Sequence, residues 1–133
     1  MEFLIGFGLA IVLFFFSSRV GFDRDRAYYP VVLIVIAAYY VLFAVMDPSR
    51  QALGLELAAS AIFVFLAVLG FKRSLWFTAA GIVGHGLFDS VHHLFIDNPG
   101  VPSFWPGFCM SIDVGIGVIF ALQLWSKRAR PGM

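Results

Sequence analysis

One stretch concentrates the ionisable side chains that can do chemistry: Gly84-His85-Gly86-Leu87-Phe88-Asp89-Ser90-Val91-His92-His93. On a helix, at about 100° per residue, His85, Asp89 and His92 fall within an arc of about 60°. His93 lies just beside them, and Thr78 extends the stripe. Leu87, Phe88 and Val91 lie off it. Two further pairs stand at i, i+4 and so share a helix face: Cys109 with Asp113, and Glu56 with Ser60. Imidazole and carboxylate together suit zinc or iron, and a mixed set with an open position suits catalysis. Without a metal, the same groups form a network that relays protons near neutral pH. All three histidines lie on one segment, so no haem clamped between two of them is expected.

These groups need elements that position them, and composition says where those elements sit. Of 133 residues, 61% are hydrophobic and 13% charged, with a mean hydropathy of +0.92. A soluble domain carries about 25% charged residues, and so few charges cannot cover this much apolar surface in water. Lipid is the solvent that fits. Its core demands that backbone groups be satisfied internally, which makes helices the default. The apolar runs show no sustained period of two, which argues against a barrel. The sequence predicts one all-α domain over residues 1–133, a bundle of about five transmembrane helices. A span takes roughly 20 apolar residues, and the predicted segments are 3–18 (or on to Val20), 28–46, 48–71, 75–96 and 105–126. Asp47-Pro48 reads as an N-cap with proline at the first helical position. Asn98-Pro99-Gly100-Val101 suits a type II turn.

Charge sets the expected orientation. Arg19, Arg24, Arg26, Lys72, Arg73, Lys127, Arg128 and Arg130 fall on one side of five spans, and Arg50 alone on the other. The N-terminus is therefore expected outside and the C-terminus in the cytoplasm. The first segment lacks a basic leader and a small-residue cleavage site, so it is expected to be retained. A net charge of +1 offers no field for nucleic acid. The single cysteine, Cys109, has no intrachain disulfide partner.

With that topology, Glu56, Asp89, His92, His93, Cys109 and Asp113 all fall in the outer half of the bilayer, with His85 near the middle. A charge at the centre of a span costs about 2.5–3.5 kcal/mol on insertion scales. Such groups need partners or a task. The expected metal ligands are His85, Asp89, His92, His93 and Asp113. Glu56 and Asp113 are the candidate catalytic carboxylates, acting as general base. A hydrogen-bonded His85–Asp89 pair without metal is the plainer alternative, and Cys109 reads first as a small packing residue. The loop from Asp97 to Gly107, with Pro99, Pro102, Phe104, Trp105 and Pro106, is expected to fold over the mouth of the polar region. Gly21-Phe22-Asp23-Arg24-Asp25-Arg26 reads as a topology determinant with local ion pairs, Asp25 capping the second helix. One of Tyr39 and Tyr40 is expected to face the polar site.

The GFDRDR loop, together with His85-Gly86 and Asp89, Asn98-Pro99-Gly100-Val101-Pro102, and Phe108-Cys109 with Asp113, resembles a group of small, uncharacterised bacterial inner-membrane proteins. The resemblance covers most of the chain from the first loop onward. It implies a multi-pass protein of the bacterial inner membrane and no particular activity.

The functional reading is a membrane-embedded His/carboxylate site that binds a divalent metal and, as an enzyme, hydrolyses a lipid-like substrate with metal-activated water. One alternative is a proton- or ion-coupled carrier, which so small a chain would build as a homo-oligomer. Another is a non-catalytic accessory subunit whose polar stripe docks on a partner helix.

Overall fold

A computed structural model describes residues 2–46, 50–96 and 100–129. They form five helices: α1 (Glu2–Val20), α2 (Tyr28–Met46), α3 (Arg50–Lys72), α4 (Leu75–Phe95) and α5 (Trp105–Ala129), with a 3-10 turn at Phe22–Arg24. No strand occurs among the described residues. The expected Asp47-Pro48 cap lies outside them, as do Asn98 and Pro99 of the expected turn.

Four of the helices, α1, α2, α3 and α5, are long and apolar enough to cross a membrane. The fourth in order, α4, has 21 residues, about 31 Å at the helical rise. Its His85, Asp89, His92 and His93 dilute its hydropathy. Outward faces of the bundle are apolar, with Leu4, Val12, Phe65 and Leu122 among the most exposed side chains.

Local chemistry explains the helix ends. The chain leaves α1 at Gly21, whose φ of +97° is open to glycine at little cost. Its N–H bonds the Ser17 carbonyl at 2.8 Å, closing the helix. The first helix takes the longer of its two expected ends, Val20 rather than Ser18, because the hydroxyls near its end are satisfied. Ser17 pairs with the Tyr28 hydroxyl, and Ser18 donates to Asp23 at 2.7 Å. Asp25 accepts from the Ala27 N–H at 2.9 Å and so caps α2. Arg26 donates to the Phe71 carbonyl at 2.7 Å and the Gly70 carbonyl at 3.3 Å, filling acceptors that the end of α3 leaves open. Ser74 caps α4 by accepting from the Trp76 N–H at 3.3 Å.

Helix α4 lies between α3 and α5 and also touches α2, while α2 packs mainly on α3. Helix α1 packs its backbone on α5 and touches α2 through the Ser17–Tyr28 hydroxyl pair. Close approach of α4 and α5 depends on missing side chains. A Cβ on Gly86 would come within 2.7 Å of Val114 and 3.1 Å of the Asp113 Cβ, and one on Gly117 would overlap Val83. Leu33, Ala67, Ile82 and Phe120 form the main apolar core. A smaller one, Ala44, Ala52 and Ile96, sits at the opposite end. Helix position places a layer of polar side chains between them.

Candidate functional site

Five histidine and carboxylate side chains in that layer are buried: Glu56, His85, Asp89, His92 and Asp113. The structure divides them into two groups. His85, at mid-length on α4, donates from Nδ1 to Asp113 Oδ2 of α5 at 2.9 Å. The same nitrogen stands 3.5 Å from Asp89 Oδ2, one turn along α4. Farther along, His92 Nε2 donates to both oxygens of Glu56 on α3, at 2.9 and 2.8 Å. The α4 stripe therefore serves two neighbours, α5 through His85 and Asp89, and α3 through His92.

Asp89 is the exceptional member. It is fully buried, and neither of its carboxylate oxygens has a hydrogen-bond partner within normal geometry. Buried polar groups are paired in the great majority of cases, and an unpaired carboxylate in a dry interior is very costly. One imidazole and two carboxylates also leave a net negative charge even when the imidazole is protonated. A proton or a cation at this point removes both difficulties.

The donor set fits a cation. One ligand atom each from His85, Asp89 and Asp113 can be chosen so that all lie within 4.8 Å of one another. A tetrahedral zinc with bonds of about 2.0–2.2 Å needs its ligand atoms about 3.4 Å apart. The two His85–carboxylate separations, 2.9 and 3.5 Å, bracket that spacing. Three protein ligands leave a fourth position open.

Aromatic rings wall the site. The Tyr40 ring stacks on His92 with centroids 3.9 Å apart and lies 6.0 Å from the His85 ring. Phe63 meets His85 edge-on at 4.6 Å. Glu56 shares a narrow void with Tyr40, Ser60 and His85.

Of the residues expected at the site, His85, Asp89 and Asp113 come together, and Glu56 and His92 form the separate pair beside them. His93 is exposed, because the next residue on a helix is turned by about 100°. Tyr40 is the tyrosine that faces the site, while Tyr39 packs against Trp105 at 5.2 Å. Cys109 is buried one turn from Asp113. Phe63 carried no signal, being one apolar residue among many on α3. Thr78, expected to continue the stripe, is buried, and its hydroxyl oxygen finds no hydrogen-bond partner among the described residues. At the α4–α5 end, Val101, Pro102, Ser103 and Pro106 join His92 and Ile96 around a cleft of about 400 Å3.

Fold and site together define a small all-helical membrane protein with a buried histidine–carboxylate centre. Comparison with protein-family models, with curated proteins and with solved structures finds no match for the chain.

Proposed function

We propose that His85, Asp89 and Asp113 hold one divalent metal ion, zinc or iron, and that the ion activates a water molecule for hydrolysis of a lipid-like substrate. The observation that carries the metal is the Asp89 carboxylate, buried and undonated beside the His85–Asp113 pair. Metal ligation would balance its charge and fill its lone pairs. Asp113 is assigned as both ligand and proton acceptor. Glu56 holds His92 and is assigned a positioning role.

The protein is proposed to reside in the bacterial inner membrane with its N-terminus outside. Support comes from the resemblance of its loop and site motifs and from the basic residues Arg19, Arg24, Arg26, Lys72 and Arg73, which flank the same ends of the helices.

Metal analysis of detergent-purified protein, prepared with and without added zinc or ferrous iron, tests this reading. The expected result is close to one ion per chain. His85→Ala, Asp89→Asn and Asp113→Asn should each lose it while retaining helical circular dichroism. His93→Ala should keep it. A folded wild-type protein that takes up neither metal overturns the proposal.

A proton or ion carrier is the second reading, favoured by the Tyr40 ring lying between His92 and His85. Proton and cation flux in proteoliposomes, with Tyr40→Phe as the comparison, separates it from the hydrolase.

A further inference from the structure

The bundle is not closed on all sides. Helices α1 and α2 are consecutive, yet their backbones do not pack together; they meet where Ser17 pairs with Tyr28. Helix α2 reaches α5 through side chains, Tyr29 stacking on Phe120 at 3.9 Å toward one end and Tyr39 meeting Trp105 at 5.2 Å toward the other. Helix α5 uses its small residues elsewhere, Gly115 against α1 and Gly117 against α4. Toward α2 it presents bulky Phe108, Ile112 and Ile116, opposite Val31, Val35 and Ile36. The result is a lateral cleft of about 390 Å3, within the size range of small-ligand sites. It runs from Tyr39 and Trp105 at one end to Tyr28 and Ile116 at the other, about 17 Å by helical rise.

Between its aromatic ends the cleft wall is apolar except at Cys109 and Asp113. Asp113 is buried, lines the cleft and is bonded to His85. One carboxylate thus belongs both to the buried centre and to a groove that opens sideways between helices with apolar outer faces. A polar solute would have to cross hydrocarbon to enter. A chain already dissolved in hydrocarbon would not, and it would lie along the helices as the groove does.

We propose that the α2–α5 cleft binds one aliphatic chain of a bilayer lipid and delivers a polar group on that chain to Asp113. This deepens the reading above by naming the class of substrate and its route, and it rests on that reading only for the chemistry that follows binding. Val35 is half exposed on one wall of the cleft, and Ile112 stands on the other. A tryptophan at either position would occupy the groove without touching the ionisable centre.

The test uses the full chain in phosphatidylcholine vesicles containing a trace of diazirine-bearing fatty acid. After illumination, labelled positions are mapped by mass spectrometry, and metal content is measured on the same samples. Labelling at Val32, Ile36, Cys109 and Ile112 should exceed that at Ile62 and Phe65, which are exposed on α3, by about tenfold. Val35→Trp should reduce the excess to background with metal content unchanged, and Ile112→Trp provides the same block from the opposite wall. Uniform labelling of all apolar faces, or labelling indifferent to both variants, overturns the chain-binding proposal. Cleft labelling in protein that holds no metal leaves chain binding standing and removes the metal chemistry alone.

Discussion

Removing the Glu56 carboxylate gives the sharpest measure of how the polar layer is held. Glu56 and His92 are each almost fully buried, and one imidazole N–H spans both carboxylate oxygens. Hydrogen bonds to charged groups contribute about 1.5–3 kcal/mol. Breaking one partner from a buried ion pair costs about 3–5 kcal/mol, because the other is left unsatisfied. In membranes the unfolded state also finds partners, and measured couplings average about 0.6 and reach about 1.7 kcal/mol. The two-point contact and burial in a layer closed by Ala44, Ala52 and Ile96 place this pair at the top of that range. Glu56→Ala is therefore expected to destabilise by about 3 kcal/mol. The coupling in a cycle with His92→Ala should be about 1.5 kcal/mol. Reversible unfolding in mixed micelles, followed by circular dichroism at pH 7, measures all four corners. A coupling below about 0.5 kcal/mol would refute the pairing as an energetic unit.

Three other perturbations have defined outcomes. In chelator-treated protein, Asp89→Leu should raise stability by about 1–3 kcal/mol, because a buried carboxylate without a hydrogen bond disappears; lowered stability in thermal unfolding would show that the 3.5 Å contact with His85 satisfies Asp89. Gly86→Val should cost at least about 1–3 kcal/mol by driving a side chain into Val114 and Asp113, with metal content falling in parallel. Gly21→Ala should cost about 1 kcal/mol through its positive φ, measurable as a lowered unfolding midpoint with metal content unchanged.

Hydropathy made the helices legible, since each apolar run is bounded by charge or proline. The polar face of α4 was also readable, because residues at i, i+4 and i+7 share a face whatever the fold. Partner choice was not. His85 and His92 lie within one arc, yet they are seven residues apart, about 10 Å along the helix, and meet different neighbours. Spacing within α4 carries no information about which of Glu56 and Asp113 stands opposite each imidazole. Tyr40 was distinguished from Tyr39 only by the direction in which α2 faces. Sequence left the end of α1 open between Ser18 and Val20, because Ser17 and Ser18 look like a polar boundary, whereas tertiary partners satisfy both hydroxyls. The lateral cleft left no trace in the sequence, since it arises from the failure of two apolar faces to meet.

The docking of α1 on α5 has a consequence for biogenesis. Beyond the Ser17–Tyr28 contact at its end, the helix synthesised before the other four packs on the one synthesised after them. Translation at about 5–20 residues per second separates the two by roughly 5–20 s. Throughout that interval the part of α1 that faces α5, with Gly6 and Ala10, must be solvated by lipid or shielded by the insertion machinery. Closure of the bundle is thus a late, post-insertion event, and quality-control proteases would meet an undocked first span whenever the fifth is delayed.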